Sequence, residues 1–569
     1  MQNSKGQEIR IAIGQMNPTV GDYPANAKKI IRWIHEAETE GSDIIVFPEC
    51  ALSGYPVWDL ANKKQFVEEG LQWLRKIAAA TRGKKITAVV GTIDRSQIPA
   101  KPDSTFSKTS HRPFRSQNCM AWIAGGKILH RYAKRLLPTY DVFLENIFFE
   151  PGRESRVIAW KHSKIGPTIC EDIWDFRYDE KPVQDLARQK ADWILNISAS
   201  PFFNGVAEIR DGLLKKHARQ SHLPILYVNQ VGAQDDLIFD GRSVFMNAAG
   251  RMLFRAPAFE EDLFFFDWDP AEKGMEVPLE EISKAEEVYQ ALVLGIRDYC
   301  RKNSFHKAVI GLSGGIDSAL VAALAADALG PEVVCGVAMP GPYSSCGSWE
   351  DAEELAQRLG IEFRVYPIRE KYAFIEKAYR IQRSQTEDEQ KLTLAHQNLQ
   401  ARLRGLELMF ISNDENRLLL STGNKSELAM GYCTLYGDMA GGLSVLGDVY
   451  KTDVYALARW RNRQKEVIPK ATMQKAPSAE LAPGQKDEDS LPPYAVLDEI
   501  LSLLIEQNKS ADEIALLMKK KKVSPETVAE VVRRVDHNEY KRRQTPPILR
   551  VTEKAWFGRR MPITNRFEI

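Results

Sequence analysis

Short apolar runs alternate with amphipathic stretches through the first half of the chain. Ile9 to Ile13 reads as a strand, and Ala27, Ile30, Ile31 and Ile34 recur on one helical face, so the pair predicts strand then helix. Further β-like runs occur at Asp43 to Phe47, Ile86 to Val90, Met120 to Ala124, Trp193 to Ile197, Pro224 to Asn229 and Ser243 to Asn247. Several are separated only by short turns, which predicts a many-stranded mixed α/β layer. Between Asp269 and Leu279 the sequence DPAEKGMEVPL loses periodicity and carries two prolines and a glycine, as a connection between separately packed units would. Two domains are expected, residues 1–270 and 280–569.

Beyond that connection the alternation becomes regular. Glu286 to Arg301 reads as a helix, and strand-like Ala308 to Leu312 leads through a glycine turn into a helix from Ser318 to Leu329, with Gly330 as its C-cap. Val333 to Ala338, Glu350 to Leu359 and Ile361 to Val365 continue as strand, helix and strand. Repeated βαβ units imply a doubly wound parallel sheet, so the whole chain is of the α/β class. Two segments break the rhythm: charged Arg369 to Lys391 and Pro-rich Ile468 to Pro493. Each is expected to be a loop, either ordering over a ligand or a plain surface insertion.

Length and composition change this picture little. The 569 residues suit roughly two to four domains. With 44% hydrophobic and 27% charged residues the chain can bury enough apolar surface to offset its entropy. Lys and Arg total 77 against 76 for Asp and Glu, a net charge of +1, so no global field favours nucleic acid or anionic lipid. Any anionic ligand must be held by a local site. The basic tracts Lys519 to Lys522 and Lys541 to Arg543 have acidic neighbours and no aromatic interleaving, which predicts solvated faces. No apolar run approaches the roughly 18 residues of a membrane span, and Met1 to Glu8 is polar; the expected compartment is the cytoplasm. Seven scattered cysteines without a Cys-x-x-Cys pair indicate neither a disulfide framework nor a zinc site.

One thiol stands out. Cys170 ends the apolar segment KIGPTIC and precedes Glu171 and Asp172, where a parallel strand presents its C-terminal end and active sites gather. A thiol with a reference pKa of about 8.5 needs a base or a positive neighbour before it attacks an amide. Glu49 holds the analogous place in DIIVFPE, and Lys134 stands in RYAKRLLP. A carboxylate to take the proton, a thiolate to attack and an ammonium to stabilise the oxyanion form a complete set. Taken singly, Glu49 reads equally well as a cap or ion-pair partner, Lys134 as an exposed amine and Cys170 as inert packing.

Together, Phe47-Pro48-Glu49, Lys134-x-x-Leu137-Pro138 and Cys170-Glu171-Asp172, in this order, resemble the nitrilase superfamily of carbon-nitrogen hydrolases over roughly residues 8 to 268. The resemblance implies an αββα sandwich with Glu49 as base, Lys134 as oxyanion stabiliser and Cys170 as nucleophile. It also implies a supporting role for Glu145, in DVFLENIFF, beside the thiol. Ser200, in NISASPFFNG, would lie on the substrate side. Glutamine-specific relatives are expected to carry a basic residue where this chain has Val206.

In AVIGLSGGIDS, residues 308 to 318, Ser313, Gly314, Gly315, Asp317 and Ser318 lie between a strand and a helix. Adjacent glycines let backbone N–H groups approach a phosphate, and the helix N-terminus adds a favourable dipole. The spacing is neither Walker A nor the Rossmann fingerprint. A diphosphate cradle is the functional reading, and a plain strand-to-helix turn the bland one. The hexapeptide SGGIDS resembles the pyrophosphate loop of the ATP-pyrophosphatases, which implies ATP as co-substrate and Mg²⁺ at Asp317, with Glu427 sharing the metal and Thr422 at the nucleotide. In QNLQARLRG, Asn398, Gln400, Arg402 and Arg404 are two residues apart and share no face unless the segment is extended.

SGGIDS, QNLQARLR, STGNKSE, YGDMAGG and PSAELAPGQKDEDSLPPY, in order, resemble the synthetase domain of the NAD synthetases along residues 280 to 569. That domain is expected to be Rossmann-like. Joined to an amidase domain, the match is to the glutamine-dependent NAD synthetases. The resemblance implies deamido-NAD contacts at Asn398, Arg402, Glu427, Asp438 and Lys451; for Asp438 and Lys451, helix capping or pairing is the bland reading. It departs from the family at Gln397, where Glu is common. It further implies glutamine, ATP and deamido-NAD as substrates, a shielded ammonia passage and a homo-oligomer, with neither nucleic acid nor membrane as partner. The alternatives are an amidotransferase with another acceptor, a lone amidase with a nucleotide-sensing module, and a scaffold with decayed sites.

Overall fold

The computed structural model describes residues 8–96, 115–269, 275–277, 282–383 and 392–566. The chain divides into two compact units, Met1–Glu281 and Ile282–Ile569. The connection expected between Asp269 and Leu279 lies largely outside the described residues.

The first unit is built on two six-stranded sheets. One runs Asp262–Trp268, Ile9–Gln15, Ile44–Val46, Thr87–Arg95, Ser116–Ala124, Lys127–Ala133; the other runs Met252–Arg255, Val244–Met246, Ile225–Asn229, Trp193–Ser198, Ser163–Ile169, Ile158–Trp160. Strand periodicity sorts the side chains between layers. Ile11, Ile13, Ile44, Val46 and Val89 meet Ile165, Ile169, Leu195, Ile197 and Val228 in a core between the sheets. The alternate residues Ala12, Ile45, Ala88 and Val90 pack outward under the helices Tyr23–Thr39 and Lys64–Ala80. On the other side Ile194, Ile225 and Tyr227 pack under Pro182–Arg188 and Val206–Ser221. Both faces of both sheets are therefore apolar, which is why these strands read as continuous runs, and the layers stack αββα.

In the second unit five parallel strands lie in the order Glu362–Val365, Val334–Ala338, Ala308–Gly311, Leu418–Ser421, Leu443–Ser444. The chain starts at the central strand, winds to one edge and returns to the other side. The order therefore reverses beside Ala308–Gly311, and ligands favour such a switch point. The helix Ile316–Leu329 leaves from there, and its residues are buried nearly all round. A helical layer of Tyr494–Ile505, Ala511–Met518 and Pro525–His537 packs on Lys425–Met430.

Three differences from the sequence reading have physical causes. Arg369–Arg383 is a helix, because Tyr372 and Ile375 give it an apolar stripe against the sheet; residues 384–391 of that segment lie outside the described residues. The Pro-rich stretch contains the helix Lys470–Gln474 and a 3₁₀ turn, Asp487–Asp489. Lys519 to Lys522 and Arg543 are exposed, but Lys541 and Arg542 are not part of a solvated face. Arg542 is buried and donates to the carbonyl oxygens of Leu428 (3.3 Å) and Ala429 (2.9 Å), while Lys541 donates to those of Gly431 (2.7 Å) and Cys433 (2.9 Å). These cations close the C-terminal end of Lys425–Met430, where unpaired carbonyls carry partial negative charge. Among the described residues no helix is long and apolar enough to cross a membrane.

Candidate active sites

In the first unit, Glu49 follows the strand Ile44–Val46, Lys134 follows Lys127–Ala133, and Cys170 follows Ser163–Ile169. The first two strands belong to one sheet and the third to the other. The Lys134 ammonium donates to Glu49 Oε1 and to Glu145 Oε1, each at 2.8 Å, with all three side chains buried. Glu49 is held further: Asn118 Nδ2 donates to Oε1 at 2.6 Å and the Ala199 N–H to Oε2 at 2.8 Å. Tyr55 donates its hydroxyl to Glu145 at 3.0 Å. Gly91 lets this assembly close, since a Cβ there would lie 2.1 Å from the Pro48 carbonyl oxygen.

Cys170 adopts φ +40°, a left-handed conformation costly for a side chain bearing Cβ, and begins the tight turn Cys170–Ile173. Burial and then the nearby Glu49 charge push its thiol well above the ordinary range, with Lys134 opposing. The resting side chain is therefore a thiol, and its proton must be taken during reaction. For Lys134 burial opposes the charged form, but Glu145 and Glu49 outweigh it and hold the ammonium charged. Burial pushes Glu145 up to about 7 against the pull of Lys134. Glu171, next to the thiol, is also raised by burial to about 7, and receives the hydroxyls of Tyr140 and Tyr178 at 3.0 Å. Ser200 is buried just beyond the strand Trp193–Ser198, its N–H donating to Asn229 Oδ1 at 2.9 Å. Val206 is buried as the first residue of its helix and offers no charge.

In the second unit the loop after Ala308–Gly311 is tied by its own hydroxyls. The Ser313 N–H donates to Ser318 Oγ at 3.2 Å, Ser318 Oγ donates to the Gly315 carbonyl at 3.0 Å, and the Gly315 N–H donates to Ser313 Oγ at 3.2 Å. Gly314 has φ +76°, and a Cβ on it would lie 2.2 Å from the Ser348 carbonyl oxygen. Asp317, at the N-terminal turn of the following helix, pairs with Lys451 and accepts from Asn424 Nδ2 at 2.9 Å. Glu427 lies 3.6 Å from the same ammonium and closes a reciprocal cap with Asn424. Thr422 and Gly423 lead from the strand Leu418–Ser421 into that cap. Burial, and then Asp317, raise Glu427 to about 8. Burial works against the Lys451 charge, and Asp317 and Glu427 outweigh it.

The structure thus brings Asp317, Glu427 and Lys451 together. It gathers Asn398, Arg402 and Asp438 around a separate turn: Thr434 Oγ1 donates to Asn398 at 2.9 Å, Arg402 Nε to the Leu435 carbonyl at 3.2 Å, and the Thr434 N–H to Asp438 at 2.7 Å. QNLQARLRG lies in the helix Leu394–Glu415, so Asn398 and Arg402, four apart, share one face, and Gln400 and Arg404 another. Arg404 reaches the Met339 carbonyl at 3.1 Å, and burial lowers its pKa to about 10. Sequence reasoning missed Tyr55, Asn118, Tyr140 and Asn424. Only Asn424 carried a signal, as an Asn three residues before Glu427.

Two protein families match along the chain. Residues 10–273 match the carbon-nitrogen hydrolase family and residues 288–545 the NAD synthase family. Over 98% of this chain and 99% of the relative, the sequence is 43% identical to a glutamine-dependent NAD(+) synthetase of Synechocystis sp.. It is 40% identical to that of Thermotoga maritima, over 99% of each chain. The solved structure of glutamine-dependent NAD+ synthetase from Acinetobacter baumannii, in complex with adenosine diphosphate, superposes with a TM-score of 0.76 at 37% identity, covering 98% of this chain and 99% of that one.

Proposed function

This chain belongs to the glutamine-dependent NAD(+) synthetase family, and from that premise we propose that it converts deamido-NAD to NAD with ATP and glutamine, dividing the work between its two units. The observation that carries the reading is the presence in one chain of a buried Glu-Lys-Cys set and a glycine loop facing Asp317, Glu427 and Lys451.

In the first unit Glu49 takes the Cys170 proton as sulfur attacks the glutamine side-chain amide. Lys134 stabilises the developing oxyanion, a contribution typically worth about 3 kcal/mol. Ammonia leaves with the proton returned by Glu49, and water then frees glutamate from the thioester. The buried surroundings keep each charge paired, so the site is organised before substrate arrives.

In the second unit the loop at Ser313, Gly314 and Gly315, held in shape by its own hydroxyls, would cradle the phosphates of ATP, aided by the N-terminus of Ile316–Leu329. The deamido-NAD carboxylate attacks the α-phosphate and releases pyrophosphate; ammonia then displaces AMP to give the amide. Lys451 balances charge beside the phosphates, and Thr422 borders them. Asp317 and Glu427 supply two carboxylates on either side of the Lys451 ammonium, an oxygen donor set that suits a hard divalent cation. Magnesium bound there would neutralise triphosphate charge. Asn398 and Arg402 offer one polar helix face to the dinucleotide, while Asp438 has a bond from Thr434 and shapes the turn.

The test supplies deamido-NAD and Mg-ATP with either glutamine or ammonium, following NAD and AMP. Cys170→Ala should lose glutamine-supported synthesis while ammonium-supported synthesis persists. Asp317→Ala should impair both. Equal loss with both nitrogen sources in folded Cys170→Ala would end the proposed division of labour.

A further inference from the structure

We propose that Asp172 is a positioning residue that fixes Lys134 against the Cys170 turn across the gap between the two sheets. The inference rests on the catalytic reading of Cys170 and Lys134 and adds how they are held together.

Lys134 and Cys170 stand at the ends of strands from different sheets, so neither sheet's hydrogen bonding sets their separation. Asp172 supplies that link. Its Oδ1 accepts the N–H groups of Arg135 and Leu136, each at 3.0 Å. Its Oδ2 accepts the Tyr132 hydroxyl at 2.8 Å and the Ile169 N–H at 2.9 Å. Residues 132, 135 and 136 bracket Lys134, and Ile169 immediately precedes Cys170. One side chain therefore grips the chain on both sides of the ammonium and the chain beside the sulfur.

The chemistry of the group matters. Asp172 is fully buried and its four bonds all come from neutral donors, so both oxygens must be acceptors. The Ile169 bond also closes the turn that holds Cys170 at φ +40°. An asparagine could accept on one side only, and its NH₂ would confront two donors on the other. With its oxygen kept toward Tyr132 and Ile169, the asparagine would turn its NH₂ on Arg135 and Leu136, so the arm lost is the one beside Lys134.

Hydrolysis needs Lys134 aligned with the oxyanion, whereas alkylation of Cys170 by iodoacetamide, in which sulfur displaces iodide from carbon, forms no oxyanion. In the full chain, Asp172→Asn should lower kcat for glutamine hydrolysis on the order of 30-fold or more, as a misplacement near 1 Å does. KM and the iodoacetamide rate should stay within about threefold of wild type. Tyr132→Phe, which removes one donor, should show the same pattern with a smaller fall; it carries the test alone if Asp172→Asn does not fold by circular dichroism. Equal falls in alkylation and hydrolysis, or a wild-type kcat in the folded variants, would overturn the proposal. Glutamine hydrolysis surviving in Cys170→Ala would instead overturn the catalytic reading beneath it.

Discussion

The Glu145 carboxyl, raised by burial to about 7, changes charge near neutrality, as does Glu171 beside the thiol. Above that pH it shares the Lys134 ammonium with Glu49. As pH falls through about 7 it takes a proton, and Lys134 is left paired to Glu49 alone and less free to meet the oxyanion. Glutamine hydrolysis should therefore decline on the acid side of about 7. Glu145→Gln, which fixes the uncharged state of this group, should run lower with a shallower acid limb, the remainder set by Glu171; the check is a pH-rate profile of wild type, Glu145→Gln and Glu171→Gln. In the second site Gly314→Ala would place a Cβ 2.2 Å from the Ser348 carbonyl at φ +76°. The left-handed backbone alone costs about 1–2 kcal/mol, and the loop must shift besides. Synthesis should fall on the order of tenfold or more with either nitrogen donor. Glu49, Lys134 and Cys170 were legible in the sequence only as a set, because each alone reads equally well as a cap, an exposed amine or packing. Asn118 was not, since a neutral amide inside a buried strand looks like any other until Glu49 is seen to accept from it.

The helix Lys451–Arg461 begins without a side-chain cap from its own Tyr450. Its first donors are met from elsewhere: the Lys451 N–H by Ser426 Oγ at 3.0 Å and the Thr452 N–H by Asp498 at 2.8 Å, while Ser426 also donates to Asp498 at 2.5 Å. The caps thus staple the helix carrying Lys451 to the one carrying Glu427. Asp498→Ala should cost about 2 kcal/mol for the lost cap and the donors left buried. It should also raise the ATP and magnesium needed for half-maximal ammonium-supported synthesis, measured alongside a denaturant titration. Such borrowed caps leave no trace in a local pattern, which is why the sequence could identify Lys451 without showing what aims it. The parallel strands and their helices were readable because buried apolar runs and helical faces repeat. The strand Lys127–Ala133 was not: it is an edge strand, largely exposed, with charged residues at Lys127 and Arg131, yet it delivers Lys134. Arg369–Arg383 failed for the opposite reason, since a few apolar positions suffice to dock a helix amid many charges.

Two proposed active sites in one chain raise the question of how nitrogen would move from the first to the second. Ammonia has weak claims on a neutral solution, where most of it is protonated and no longer a nucleophile. An enzyme that released it to solvent would depend on its bulk concentration, whichever donor supplied it. The proposed coupling instead hands ammonia on before it equilibrates. An ammonia-consuming trap, such as excess glutamate dehydrogenase with 2-oxoglutarate and NADPH, separates the cases. It should abolish synthesis from dilute ammonium yet leave glutamine-supported AMP formation near its untrapped rate, with about one glutamate per AMP. If the trap quenched both to the same degree, the two units would be independent catalysts that happen to share a chain, and the gain from their fusion would lie elsewhere than in nitrogen transfer.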